Sequence, residues 1–177
     1  MRLLLIAAVS ALALGLLAAC QPTLNWRDVR LDNTPLKAQL PCKPDRASRA
    51  VAMAGQNLQL HVAGCDAGGA TFAVMQADLP QPQLAAAVLA QWRQATLLNM
   101  RATSLQDAAF VPTGAYNLPQ SLLTQAVGRR PAAAGGAAVQ ARAVWFSNGA
   151  QVFHAVLYAD AIEPAVADTF FASLVLQ

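Results

Sequence analysis

The sequence predicts an α+β domain: an antiparallel β-sheet with one long central helix and a C-terminal helix, preceded by an N-terminal signal peptide. Three observations carry that expectation. Apolar residues alternate with period two in short runs on both sides of the chain's middle, the mark of half-buried strands. Gln83 to Met100 holds no Gly or Pro, and Leu84, Val88 and Trp92 recur at the spacing of one helix face. Asn148-Gly149 sits between two alternating runs, a strong short-range hairpin signal.

From the N-terminus, Asn25 to Leu31 alternates weakly around Trp26, Val29 and Leu31, and Asn33-Thr34-Pro35 turns the chain. Leu36 to Leu40 reads as a short strand. Pro41-Cys42-Lys43-Pro44 lacks two ladder donors and cannot continue it as a central strand. Ser48 to Met53 alternates and Ala54-Gly55-Gln56-Asn57 turns. Leu58, Leu60 and Val62 then share one side of a strand, with Gln59 and His61 on the other. Asp66 to Gly69 turns into Thr71 to Ala77, where Phe72 and Val74 oppose Met75.

Pro82 suits the first turn of the long helix, which is rich in Ala, Leu and Gln. Arg93 and Arg101 lie towards its C-terminal end, where they complement the macrodipole. Ala102 to Leu118 reads as irregular, with a brief strand at Phe110-Val111 and a turn at Pro112-Thr113-Gly114. Ser121 to Val127 fits strand or helix, because Leu122 and Leu123 suit both. After a loop through Gly136, Val139 to Phe146 and Val152 to Tyr158 pair across Asn148-Gly149. Pro164 to Leu174 closes as a helix striped by Val166, Phe170, Phe171 and Leu174. No internal repeat of about 20–50 residues divides the chain, so residues 25–177 form one domain. Its core should hold Leu84, Val88, Trp92, Phe72, Val74, Trp145, Val152, Val156, Phe170 and Leu174.

Composition narrows the function classes. The chain has 177 residues, 56% hydrophobic and 12% charged, which excludes a disordered chain. A formal charge of +3, scattered along the sequence, gives no nucleic-acid footprint. Only two His and one Glu are present, so catalytic material is scarce.

The start of the chain carries an address. Met1-Arg2 is cationic, Leu3 to Leu17 is apolar and uncharged, and Ala18, Ala19 and Cys20 follow; this is a secretory signal-peptide pattern. Leu17-Ala18-Ala19-Cys20 resembles the lipobox of bacterial lipoproteins. The resemblance implies a diacylglyceryl group on the Cys20 thiol, removal of residues 1–19, acylation of the freed amine, and a short lipidated tether at 20–24. One acyl chain binds a bilayer marginally and two or more hold it stably, so the lipid bilayer is the first partner, reached through acylated Cys20. Gln21, in place of an Asp that would resemble an inner-membrane retention signal, implies the outer membrane, with the domain on the periplasmic face.

The segments "LPCKP", "GGATFAV", "LAAAVLAQW", "ARAVWFSNGAQVFHAVLY" and "TFFASLVL" together resemble the PsbP-like superfamily and a group of uncharacterised bacterial lipoproteins. The resemblance covers roughly Leu40 to Leu176. It implies an α/β/α sandwich around an antiparallel sheet, an accessory or docking role, no cofactor and no set of catalytic residues.

Cys42 and Cys65 are the thiols left once Cys20 is lipidated. Both flank strand ends, and a compartment beyond the inner membrane favours disulfides. Closing a loop of about 24 residues would stabilise by ~3 kcal/mol, so a structural disulfide is expected. His61 and His154 lie on strands without the further ligands a metal site needs, and no metal is assigned. No Ser sits in a Gly-x-Ser-x-Gly turn, and Glu163 before Pro164 reads as a helix start. Arg129, Arg130 and Arg142 form either a small basic patch for a partner or a solvated hairpin tip. Trp26, beside Arg27 and Arg30, is either an interfacial anchor or a plug at one end of the core.

Three functions fit these residues. The first is a non-enzymatic, membrane-anchored binding or docking module of the cell envelope, with an envelope protein as partner. The second is a carrier of a small apolar ligand or lipid, which predicts an enclosed apolar cavity of about 300 Å³ or more between sheet and helix. The third is a hydrolase assembled in space, which predicts His61 or His154 meeting a Ser or Cys and an Asp.

Overall fold

The computed structural model describes residues 23–31, 33–130 and 135–177. The signal peptide at 1–19, the lipidation site Cys20 and most of the tether lie outside the described residues.

Two sheets and two helices make the fold. β1 (Arg27–Arg30) and β2 (Leu36–Leu40) open the chain, followed by β3 (Asp45–Met53), β4 (Gln56–Ala67) and β5 (Ala70–Asp78). A 3₁₀ turn at Pro82–Leu84 leads into α1 (Ala85–Asn99). Then come β6 (Ser104–Ala109), β7 (Leu122–Arg129), β8 (Ala138–Asn148) and β9 (Gln151–Ala159), α2 (Pro164–Ala172) and β10 (Val175–Leu176). The large sheet runs β3-β4-β5-β9-β8-β7-β6, antiparallel throughout. The small sheet runs β1-β2-β10. Among the described residues, no helix is long and apolar enough to cross a membrane.

Each face of the large sheet is covered by something different, because successive side chains alternate across a sheet. On one face, Phe72, Val74, Phe146, Phe153, Ala155 and Leu157 pack with Leu36, Ala38 and Leu40 of β2 and with Phe170 and Phe171 of α2. On the other, Leu60, Trp145, Val152 and Val156 pack with Ala85, Val88, Leu89 and Trp92 of α1. Burying a large apolar side chain contributes about 1.5–3 kcal/mol, and α1 depends on that contribution. Its N-terminus has no side-chain cap and no acidic residue in the first turn.

The expected α+β α/β/α sandwich is therefore incorrect. The chain is mostly strand, with a second, three-stranded sheet where a purely helical cover was expected. Three segments account for the difference. Ser104–Ala109, read as irregular, is β6: all six residues are exposed, so no alternation marks it, and the ladder from Ser104↔Val127 to Ala109↔Leu122 holds it. Ser121–Val127, read as either type, is strand within β7 from Leu122 onward, and it carries β6. Val175–Leu176 leaves α2 and joins β2, completing the small sheet.

Smaller differences have local causes. Phe110-Val111 is not a strand; the Phe110 ring meets Phe171 edge-on, with centroids 6.4 Å apart. Leu84 is only half-buried, because it precedes α1 instead of lying on its inner face; the other nine expected core residues are buried. Arg93 does not serve the helix terminus. It spans from α1 to β6 and β7, donating to both carboxylate oxygens of Asp107 at 2.8 and 2.7 Å and to Thr124 Oγ1 at 3.2 Å.

Cys42, just after β2, is disulfide-bonded to Cys65 of β4, with Cα atoms 6.0 Å apart. The bond ties the small sheet to the large one.

Candidate functional site

A cleft of about 400 Å³ opens between the C-terminal half of α1 and the large sheet. Sheet alternation sends Met53, Leu60, Met75, His154 and Tyr158 to the α1 side, from four neighbouring strands. Trp92, Ala95 and Thr96 of α1 form the opposite wall. Arg49, Arg129 and Arg130 also line it, while no Asp, Glu, Ser or Cys does. A larger groove of about 610 Å³ along β6 and β7 has Gln106, Gln125 and Gln140 in its lining and no aromatic side chain.

His154 marks the deep end of the cleft. Its ring stacks on Trp145, with centroids 4.6 Å apart and planes 6° from parallel, and meets Trp92 edge-on at 5.3 Å. Nδ1 lies 3.0 Å from the Val144 carbonyl, to which it donates. Burial pushes the imidazole down from its ordinary 6.5 to about 4, and the hydrogen bond to Val144 only partly opposes this. The ring is neutral at pH 7, so Nε2 carries a lone pair and accepts. Burial also raises the Tyr158 phenol, which stays protonated.

The hydrolase constellation does not assemble here. His154 has no Ser, Cys or Asp beside it in the cleft. His61 is exposed on the other face of β4, in a shallow depression with Arg46 and Ser48. Among the described residues, no three of His, Cys, Asp and Glu converge as metal ligands.

The three arginines singled out in the sequence separate. Arg129 ends β7 and Arg130 follows it; both edge the cleft, joined there by Arg49 of β3, but alternation from Gly128 turns the Arg129 side chain to the other face. Arg142 lies on the opposite face, 2.7 Å from Asp168 of α2 and with its guanidinium 5.2 Å from the Phe171 ring centroid. Trp26 packs edge-on against Phe72 at 6.0 Å, at one end of the core beside the small sheet.

The cleft residues are not marked in the sequence: Trp92 reads as ordinary core, His154 as a strand histidine, Met75 only as the residue opposite Phe72 and Val74, and nothing singles out Arg49. One signal was present: a hairpin around residue 149 places an aromatic, Trp145, close to a histidine.

No family model and no curated protein matches the chain. Among solved structures, the chain is similar to PA94 of Pseudomonas aeruginosa, a protein of unknown function, at 14% identity over 79% of this chain and 84% of that one, with a TM-score of 0.34. A likeness at that level supports no conclusion about function.

Proposed function

We propose that the protein is a lipid-anchored module of the bacterial cell envelope that binds a small apolar ligand in the cleft between α1 and the large sheet. The observation that carries this reading is the cleft itself. Its volume lies in the range of small-molecule sites, its walls are mostly apolar and aromatic, and a few polar groups (His154 and Tyr158 inside, arginines at the edge) can fix orientation. The anchor rests on the lipobox-like Leu17-Ala18-Ala19-Cys20, and Gln21 points to the outer membrane. The Cys42–Cys65 disulfide supports an oxidising compartment. A ligand-binding module fits the scarcity of catalytic residues and narrows the broader reading of a docking module.

The test is titration of the full chain with an uncharged, environment-sensitive naphthalene dye. Saturable binding that is abolished by Ala95→Trp, a bulky side chain on an exposed helix position at the cleft wall, supports the reading. No saturable binding, or binding unchanged in Ala95→Trp, overturns it. The anchor is tested separately, by mass spectrometry of the N-terminal peptide and by membrane fractionation of Cys20→Ala. A Cys20→Ala chain that still fractionates as a processed membrane protein contradicts lipidation.

A further inference from the structure

The cleft combines an apolar interior with a positively charged edge. Arg49 of β3, Arg129 at the end of β7 and Arg130 after it all line it. Among the described residues, the only carboxylate paired with any of them is Asp160, exposed and 3.2 Å from Arg130. Arg129 donates to the Gly136 carbonyl at 3.3 Å, which engages one of its five N–H groups. Alternation from Gly128, which faces α1, turns the Arg129 side chain to the other face of the sheet, whereas Arg49 faces α1 with its partner Leu60 and makes no hydrogen bond or ion pair among the described residues.

We propose that the ligand is a single-chain anionic amphiphile, its apolar chain running in towards Trp92 and His154 and its head group held by Arg49. This inference rests on the ligand-binding reading of the cleft and adds the chemistry of the ligand. An uncharged apolar ligand would leave the arginines with nothing to do at the edge. A cationic amphiphile would meet like charge there. A guanidinium matches a carboxylate or phosphate oxygen pair bidentately, which gives direction as well as attraction. Inside, His154 and Tyr158 are uncharged, so no charge opposes entry of the chain.

The experiment compares three probes of one chain length, octanoate, octanol and octyltrimethylammonium, by calorimetry on the full chain in nanodiscs of neutral lipid, with empty nanodiscs as blank. Octanoate is expected to bind about tenfold tighter than octanol, with octyltrimethylammonium weakest. In Arg49→Gln, octanoate should fall to the affinity of octanol while octanol is unchanged, which also shows that the variant keeps its cleft. Equal affinity for octanoate and octanol in the unmodified chain overturns the anionic-ligand inference and leaves the apolar cleft standing. Failure of all three probes overturns both.

Discussion

His154 faces Trp145 across the β8–β9 hairpin, their rings 4.6 Å apart and within 6° of parallel. The pair stands under α1, so an ionisable ring is held in the driest part of the cleft. This arrangement makes stability depend on pH. The unfolded chain takes up a proton on this ring near its ordinary 6.5, and the folded one only near 4. The unfolded state therefore binds more protons in between, and stability rises with pH across that window. Above pH 6.5 the effect is absent; as pH falls from 6.5 to 4, the fold loses about 3 kcal/mol. Urea unfolding at a series of pH values should show that loss, and His154→Gln should flatten the curve between those limits. An equally steep curve in His154→Gln would refute the assignment.

The disulfide should matter in proportion to the chain it closes. Cys42 and Cys65 are 23 residues apart, which corresponds to about 3 kcal/mol in the chain-entropy estimate. Cys42→Ala/Cys65→Ala should lower the melting temperature by roughly 6–12 °C. A loss below about 2 °C would mean that the packing of β2 against β5 already fixes the two sheets.

The edge strand β6 hangs on polar contacts. Burial pushes the Asp107 carboxyl up, but hydrogen bonds from Thr124 and Arg93, with the Arg93 charge beside them, hold it below the ordinary carboxylate range. Asp107→Asn should cost about 1 kcal/mol of stability, small because the pair is largely exposed. Faster amide exchange at residues 104–109, with the centre of the sheet unchanged, is the accompanying signature.

Gly128 is required by a close approach. A Cβ placed there would overlap the Met100 carbonyl, which also accepts from the Arg129 N–H. Gly128→Ala should destabilise by about 1–3 kcal/mol and shift the end of α1, weakening dye binding as well. Unchanged binding and stability would show that the α1–β7 junction is looser than this packing implies.

Sequence reading was most successful where burial is one-sided. Leu58, Leu60 and Val62 alternate and lie on one face of β4, and the spacing of Val88 and Trp92 found α1 within two residues of its ends. It failed at β6, where exposure on both faces erases alternation, and at β10, two residues long and defined only by pairing with β2. The first loss removed an edge of the large sheet, the second hid the small sheet, and together they produced the wrong fold class. The candidate site was less legible still. Had Asn148-Gly149 formed the two-residue loop, Trp145 would oppose Val152. The loop is instead Gly149-Ala150, and that one-residue shift puts His154 opposite Trp145. Arg49 and Arg129 belong to separate strands, and only the sheet order brings both to one cleft.

The most direct test of the account is nuclear magnetic resonance of the tryptophan indole and histidine ring signals while octanoate is added. Trp92 and His154 line the cleft, whereas Trp26 lies across the sheet against Phe72 and serves as an internal control. The account predicts saturable shifts at Trp92 and His154 with Trp26 unmoved. Signals that stay fixed at Trp92 and His154, or that move only at Trp26, would contradict it.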